Sequence, residues 1–468
     1  MRHGHFSGCL LAAATLIAMH GPAAAAQPVC SPQWSDSEAS NTQALQNAID
    51  TCAAAGTVAL PGFVDLAPSG SITTAQIVSV TLRSNLVLKI EAGFTLRGPD
   101  PADVGYTGKA AATPPSMFEG SGLSNVTLTG TGTIDGNGAP YWDIFNRGGD
   151  YSKQERQRIL RLTGTGLRIG ANFSATGSNV SGVTFPTSTN DPTRALKIKD
   201  SPKEQVTIES GSSNIVIDGV WIYAPTGRAK LGTGSNKNVA PNTDGIDLVG
   251  VNPSGDGIAL VQNCLIDTGD DDIAVKSNTK SAPSYNVTVK NCVFGGGHGL
   301  SIGGQETGGV GNMQVANVWF KGTDFGFRIK TDNSAKDSGT TSGISYANSC
   351  LLQVGEPILL TYEYDGTKSG GKPPVIETVT FNNIVAVAAA TPGRSAVLGE
   401  MTGLKDDLMT KSISILNSSI TGAGASHFKL TDATLALGSH SVLATTLESG
   451  GKLVAMADSR APAASACP

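Results

Sequence analysis

Apolar and polar positions alternate along this chain in a series of short segments built on one pattern. It reads NIVIDGVWI (214–222), GIALVQNCLI (257–266), NVTVKNCVF (286–294) and NMQVANVWF (312–320), then GISYANSCLL (343–352), TVTFNNIVA (378–386) and SISILNSSI (412–420). NVTLTGTGTI (125–134) is an earlier, degenerate copy. Alternation is the strand signal. The Asn that usually follows marks a bend before a second short apolar stretch. Asn263, Asn291, Asn317, Asn348, Asn383 and Asn417 are spaced by 28, 26, 31, 35 and 34 residues. A near-constant period of short strands means stacked coils, each burying its apolar face against its neighbours. A barrel or sandwich would not return the same Asn in every unit. The pattern predicts an all-β chain, a right-handed parallel β-helix over residues 85–445, with stacked Asn side chains bonding up the ladder.

An open coil exposes strand edges and needs a cap. Within residues 27–84, TQALQNAIDTC (42–52) places Ala44, Leu45, Ile49 and Cys52 on one helical face, predicting a short capping helix with Ser40 or Asn41 as its N-cap. Residues 446–468 read as a loosely ordered tail. YSKQERQRILRL (151–162) is the main charge run, and such runs are ordinarily solvated faces.

The period also serves as a ruler. Ile246, Ile273 and Leu300 open equivalent strands, and two residues before each stand Asp244, Asp271 and His298, spaced by 27 and 27. Neighbouring coils lie about 4.8 Å apart, so these three form a polar row with Asp270 beside its middle member. One coil on, FGFRIKT puts Arg328 and Lys330 on one side of a strand, with Phe327 and Ile329 on the other.

Composition agrees with many short strands and turns: 58 glycines and few aromatics. Arg2, an apolar run from Leu10 to Met19, and the stretch Ala23–Ala26 have the order of a cleaved secretory signal over residues 1–26. The run is too short to span a bilayer. A secreted protein is expected, with a periplasmic one as the alternative and no membrane partner. Loss of Arg2 moves the formal charge from -5 to -6, so no nucleic-acid partner is expected. Export permits disulfides, and Cys30 with Cys52 is the first candidate pair. Cys467 could tie down the tail.

Three chemistries compete for the acidic and basic cluster. Calcium wants converging oxygens, which the neighbouring cations oppose. Zinc wants several imidazoles or thiolates, and there is one imidazole. Glycoside hydrolysis wants paired carboxylates whose mutual repulsion keeps one protonated, and this fits best.

NTDGID (242–247), TGDD (268–271), GGHGLSIG (296–303) and RIKT (328–331) together resemble the signature segments of the polygalacturonases of glycoside hydrolase family 28. GTIDGNG (132–138) and PILLTYEY (357–364) also look like family segments. The resemblance implies a parallel β-helix that hydrolyses α-1,4-linked galacturonic acid with inversion. It implies Asp270 as general acid, Asp244 and Asp271 as the pair activating water, and His298 as support for the acid's protonation. Arg328, Lys330, Tyr364 and Asn242 would bind substrate, with Tyr362 a weaker candidate. No metal or other cofactor is implied, and the expected partner is a pectic oligosaccharide met by a monomer.

Endo action is expected, because few residues separate the signal from the cap helix whereas exo-acting bacterial relatives often carry an extra N-terminal domain. Exo action, a rhamnogalacturonan hydrolase, a calcium-dependent pectate lyase and a non-catalytic polysaccharide-binding solenoid are the alternatives. Asp272, the extra residue in GGQETGG (303–309) and the long stretch 163–213 depart from the family pattern.

Overall fold

The computed structural model describes residues 26–107, 113–180, 182–184, 192–226, 230–231, 235–236, 239–331, 338–364, 374–391, 394–403, 412–448, 450–457 and 467. Nearly all of the expected signal, residues 1–25, lies outside them, as does most of the tail beyond residue 457. The chain winds into a parallel β-helix, right-handed as parallel crossovers are. Strand Ile246–Val249 pairs Ile273–Ser277, which pairs Leu300–Glu306, then Phe325–Lys330, then Glu356–Thr361, all parallel. A second column holds the long strands Ala259–Asp267, Ser284–Phe294, Val310–Lys321, Thr340–Val354 and Val375–Ala388.

Each long strand turns a corner at its Asn. Asn263, Asn291, Asn317, Asn348, Asn383 and Asn417 have φ between 47° and 57°. Among residues with a Cβ, Asn enters this left-handed region most readily. The amides then stack: Asn317 donates to Asn291 at 3.4 Å and Asn383 to Asn348 at 2.9 Å. At the first corner, Asn263 donates instead to Asp218 at 2.7 Å.

Inside, like stacks on like. Ile246, Ile273, Leu300, Phe327 and Ile358 share one register, and all are buried. Behind the fourth of these coils the core becomes aromatic, with Phe320, Phe327, Tyr346 and Phe381 in a chain of ring contacts 4.3–5.1 Å apart. Cys264 and Cys292 stack in register as buried free thiols.

The ladder runs past the expected bounds of 85 and 445. Val29–Cys30 already pairs Gly62–Leu66, which pairs Leu86–Ile90, and Lys452–Met456 pairs Thr434–Gly438 at the far end. These strands are too short or irregular to show the repeating pattern. The capping helix is Glu38–Ala55, longer than expected, and its N-cap is Ser37, which accepts from the Ser40 N–H. Asn41 instead sits inside the helix and turns back to Ser35, bonding both its N–H and its carbonyl. Leu45, Ile49 and Cys52 are buried against the first coil. Disulfides join Cys30 to Cys52 and Cys350 to Cys467. The long stretch 163–213 adds length within one coil, since Leu196–Lys199 returns between Thr133–Asp135 and Val220–Tyr223 and Val206–Ile208 pairs the start of Leu160–Ile169. Among the described residues, no helix is long and apolar enough to cross a membrane.

Candidate active site

The face opposite the core in the Ile246-to-Phe327 column carries the charged cluster. Its outward positions are small where the cleft opens: Ala274, Ser301 and Gly303. Gly303 has φ +96°, and a Cβ there would strike the Lys330 carbonyl oxygen. Long side chains from the next coil, Arg328 and Lys330, lie in register with Ser301 and Gly303 and bend back over them. They reach Asp271, two coils away. Arg328 grips one Asp271 oxygen through Nη2, and Lys330 donates to the other at 2.8 Å. Ser301 completes the knot, donating to Asp271 and accepting from Arg328 Nε, each at 2.9 Å.

The carboxylates brought together differ in environment. Burial alone would push Asp271 up, but Arg328 and Lys330 outweigh it and hold the carboxyl well below its usual range. One coil earlier, burial pushes Asp244 well above its usual value, and Lys276 offsets this only in part. Lys276 bridges Asp244 at 3.1 Å and Asp247 at 2.7 Å. At Asp270 burial again works upward, yet the hydrogen bond and charge of His298 carry the net shift downward. The imidazole Nδ1 lies 3.0 Å from Asp270 Oδ1, and the Asp271 N–H also bonds that oxygen at 3.0 Å. Thus Asp270 leans towards the following coil, while Asp244 is held by Lys276, which comes from the coil of Asp270 and Asp271.

Asp272 belongs to the frame. It is fully buried and accepts from the Thr268 hydroxyl and the Gly299 N–H, each at 3.2 Å, pinning the TGDD turn to the next coil. Burial drives its carboxyl well up, and nearby Asp267 adds to this.

Asp244, Asp270, Asp271, Lys330, Asn242 and Tyr364 all border one cleft of about 350 Å³. Tyr364 is 44 % exposed, with its ring 4.5 Å from Lys330 Nζ. Tyr362, the weaker candidate, points the other way. It continues the buried inward row of Ile358 and Leu360, and its hydroxyl donates to Pro374 O and accepts from the Ile376 N–H. The strand ends at Thr361, so Tyr364, two residues beyond Tyr362, is no longer bound to that face. Asn242 is held by Arg156 at 2.7 Å. Arg156 comes from the charge run expected to be solvated, and there the expectation fails. The guanidinium is buried, bonds the carbonyls of Pro202 and Pro241 at 2.7 Å each, and lies over the Phe145 ring. Burial lowers it to about 10. Three polar acceptors from distant loops replace water around it, an arrangement invisible to local charge counting.

Sequence reasoning also passed over Lys276, Ser301 and Glu306. The first two were legible, since they sit at outward strand positions beside the aspartates. Glu306 was not: both its carboxyl oxygens are buried without a hydrogen-bond partner, and burial pushes it up to about 8 despite Lys330. As a metal site, Asp270, Asp271 and His298 are the one group found among the described residues, their ligand atoms within 4.8 Å of one another. Both Asp271 oxygens are already held by cations, so this set does not fit a metal ion.

A family model described as "Glycosyl hydrolases family 28" matches residues 68–439. The chain is 26 % identical over 394 residues to an endo-polygalacturonase of Pectobacterium carotovorum subsp. carotovorum, covering 81 % of this chain and 85 % of that protein. It is 27 % identical over 386 residues to a polygalacturonase of Ralstonia solanacearum, covering 73 % and 64 %. Among solved structures, the polygalacturonase from Erwinia carotovora ssp. carotovora aligns with a TM-score of 0.59 at 21 % identity, over 92 % of this chain and 96 % of that one. A hyperthermoactive exopolygalacturonase from Thermotoga maritima aligns equally well, at 0.59 and 19 % identity, over 92 % and 94 %. At these identities the solved structures speak for the fold.

Proposed function

The chain belongs to the glycosyl hydrolases of family 28, and from that premise we propose that it hydrolyses α-1,4 bonds between galacturonic acid residues of polygalacturonate, in endo mode and with inversion. The observation that carries this is the convergence of Asp244, Asp270 and Asp271 on one cleft that Lys330 also lines, with Arg328 buried behind Asp271. The endo-polygalacturonase relative, which this chain matches over most of both lengths, supports the substrate and the mode.

In this reading Asp270 protonates the glycosidic oxygen. Asp271, kept ionised by its two cations, and Asp244 orient one water and take its proton. The upward shift of Asp244 makes it the stronger proton acceptor of the two once ionised, and Lys276 favours that ionised form. Inversion requires space between acid and base, and here Asp270 leans to His298 on the following coil while Asp244 stands on the preceding one. Arg328 has donors beyond those spent on Asp271 and Ser301, and Lys330 has donors beyond Asp271. These grip a substrate carboxylate, with Asn242 and Tyr364 along the same wall. The reading includes export, which suits the two disulfides, and action as a monomer through a cleft formed by one chain.

The test is incubation with polygalacturonate in the presence of a chelator, following reducing ends, product lengths and the anomeric form of the first product. Mixed oligomers early on, with the inverted anomer, are expected. Monomers or dimers alone from the start would overturn endo action. An ultraviolet-absorbing unsaturated product, or loss of activity to the chelator, would overturn hydrolysis in favour of elimination. Absence of new reducing ends would leave a binding solenoid.

A further inference from the structure

His298 stands between two carboxylates. Nδ1 faces Asp270 at 3.0 Å and Nε2 faces Asp324 Oδ2 at 3.8 Å. Asp324 is fixed from three sides. Its other oxygen accepts from the Thr391 hydroxyl, its N–H bonds Gly297 O at 2.8 Å, and its carbonyl accepts from the Glu356 N–H at 3.0 Å. Phe325 meets the imidazole edge-on at 5.9 Å, and the guanidinium carbons of Arg328 and Arg394 lie 4.2 Å and 4.5 Å from that ring's centre. The charged groups around the imidazole are therefore Asp270, Asp324 and Asp271 with its partners Arg328 and Lys330, and Arg394 on the Phe325 ring. Asp324 is the one that meets Nε2.

We propose that Asp324 is a positioning residue that holds His298 in the Nε2–H tautomer, leaving the Nδ1 lone pair turned towards Asp270. Which ring nitrogen carries the proton is set by the hydrogen bond the other makes. An ionised carboxylate anchored opposite Nε2 can only accept, so it favours a proton there, whereas Asp270, protonated as the acid, is itself a donor towards Nδ1. The 3.8 Å separation closes to hydrogen-bond length by a small turn of the ring, and catalytic hydrogen bonds are often long until substrate binds. The consequence falls on Asp270. A charged His298 that donates from Nδ1 favours the ionised carboxylate, which is the arrangement that carries Asp270 downward and the wrong state for an acid. A His298 that accepts at Nδ1 favours the protonated one. The protons balance: Asp270 gives its proton to the glycosidic oxygen as the bond to the anomeric carbon breaks, and the water that bonds to that carbon gives one to the Asp244–Asp271 pair. Exchange with solvent restores the first and removes the second. His298 keeps its Nε2 proton throughout.

This inference rests on Asp270 being the acid, and the test separates the two. In Asp324→Asn the amide keeps an oxygen for Thr391 and presents its NH2 to Nε2, reversing the preference to Nδ1–H. Nitrogen-15 NMR of the folded, substrate-free enzyme should show the Nε2–H form in the parent and the Nδ1–H form in the variant. The kcat should fall on the order of 10²-fold or more with KM near the parent's. Thr391→Val, which only loosens Asp324, should lower kcat in the same direction by less, and it serves if Asp324→Asn does not fold. An unchanged tautomer in the variants, or a kcat within twofold of the parent in Asp324→Asn, overturns the inference. Full activity in Asp270→Asn overturns the assignment of the acid instead, and the NMR result then still decides what Asp324 does to His298.

Discussion

Two rows of side chains run along this solenoid, and they obey opposite rules. At the corners of the long strands the same residue recurs, coil after coil, and Asn bonds to Asn. On the cleft face, one register position passes from Asp247 through Ala274 and Ser301 to Arg328. Repetition suits the corner because each coil faces the same backbone demand, a left-handed turn next to an identical neighbour. The cleft cannot repeat. Like charges one coil apart repel at close range, so Asp244 and Asp271, on adjacent coils, are each answered by a cation from another coil. A solenoid thus gains stability from sameness and chemistry from difference, on faces of the same coils.

The sharpest break in that contrast is Asp270→Asn. It should leave the fold and substrate binding intact while kcat drops by about 10²–10⁴-fold, measured against binding of polygalacturonate oligomers by calorimetry. Activity close to the parent's would remove Asp270 from the mechanism. Next comes Arg328→Met, which strips a buried partner from Asp271. Leaving a buried charge short of a partner costs about 3–5 kcal/mol, and Lys330 should keep the loss at the lower end in denaturant unfolding. A loss below about 1 kcal/mol would mean water already reaches the knot.

In the corner row, Asn317→Ala removes the bond to Asn291 and puts a less tolerant residue at φ 55°. About 1–2 kcal/mol of destabilisation is expected with kcat unchanged. A kcat effect would show that corners and cleft are not independent. The smallest effect concerns Glu306. Its carboxyl is raised from 4.5 to about 8 in the folded chain, so the folded state binds the extra proton. Its contribution is complete below about pH 4.5 and is lost as pH rises through about 8. Glu306→Gln should therefore flatten the fall of the melting temperature over that window, and an unchanged pH slope would count against the buried, unpartnered carboxyl.

Much of the cleft was legible because the period is a ruler. Knowing that Ile246, Ile273 and Leu300 are equivalent is enough to align Asp244, Asp271 and His298, and alternation alone puts Arg328 and Lys330 on one face. Reach was not legible. Nothing local says that Arg328 bends back two coils to Asp271, or that Arg156 leaves its charge run to hold Asn242. Strand parity also misleads where a strand stops, as at Tyr364, which shares the parity of buried Leu360 and Tyr362 yet borders the cleft.

The sequence by itself determined the repeat, its corners, the capping helix and the row of Asp244, Asp271 and His298 with Arg328 and Lys330 beside it, because each follows from periodicity along the chain. The tertiary structure alone decided which oxygen each cation holds, which carboxyl is pushed up or down, and that Asp272 braces a turn rather than facing the cleft. Those outcomes depend on burial and on side-chain reach across coils, and both exist only once the coils are stacked.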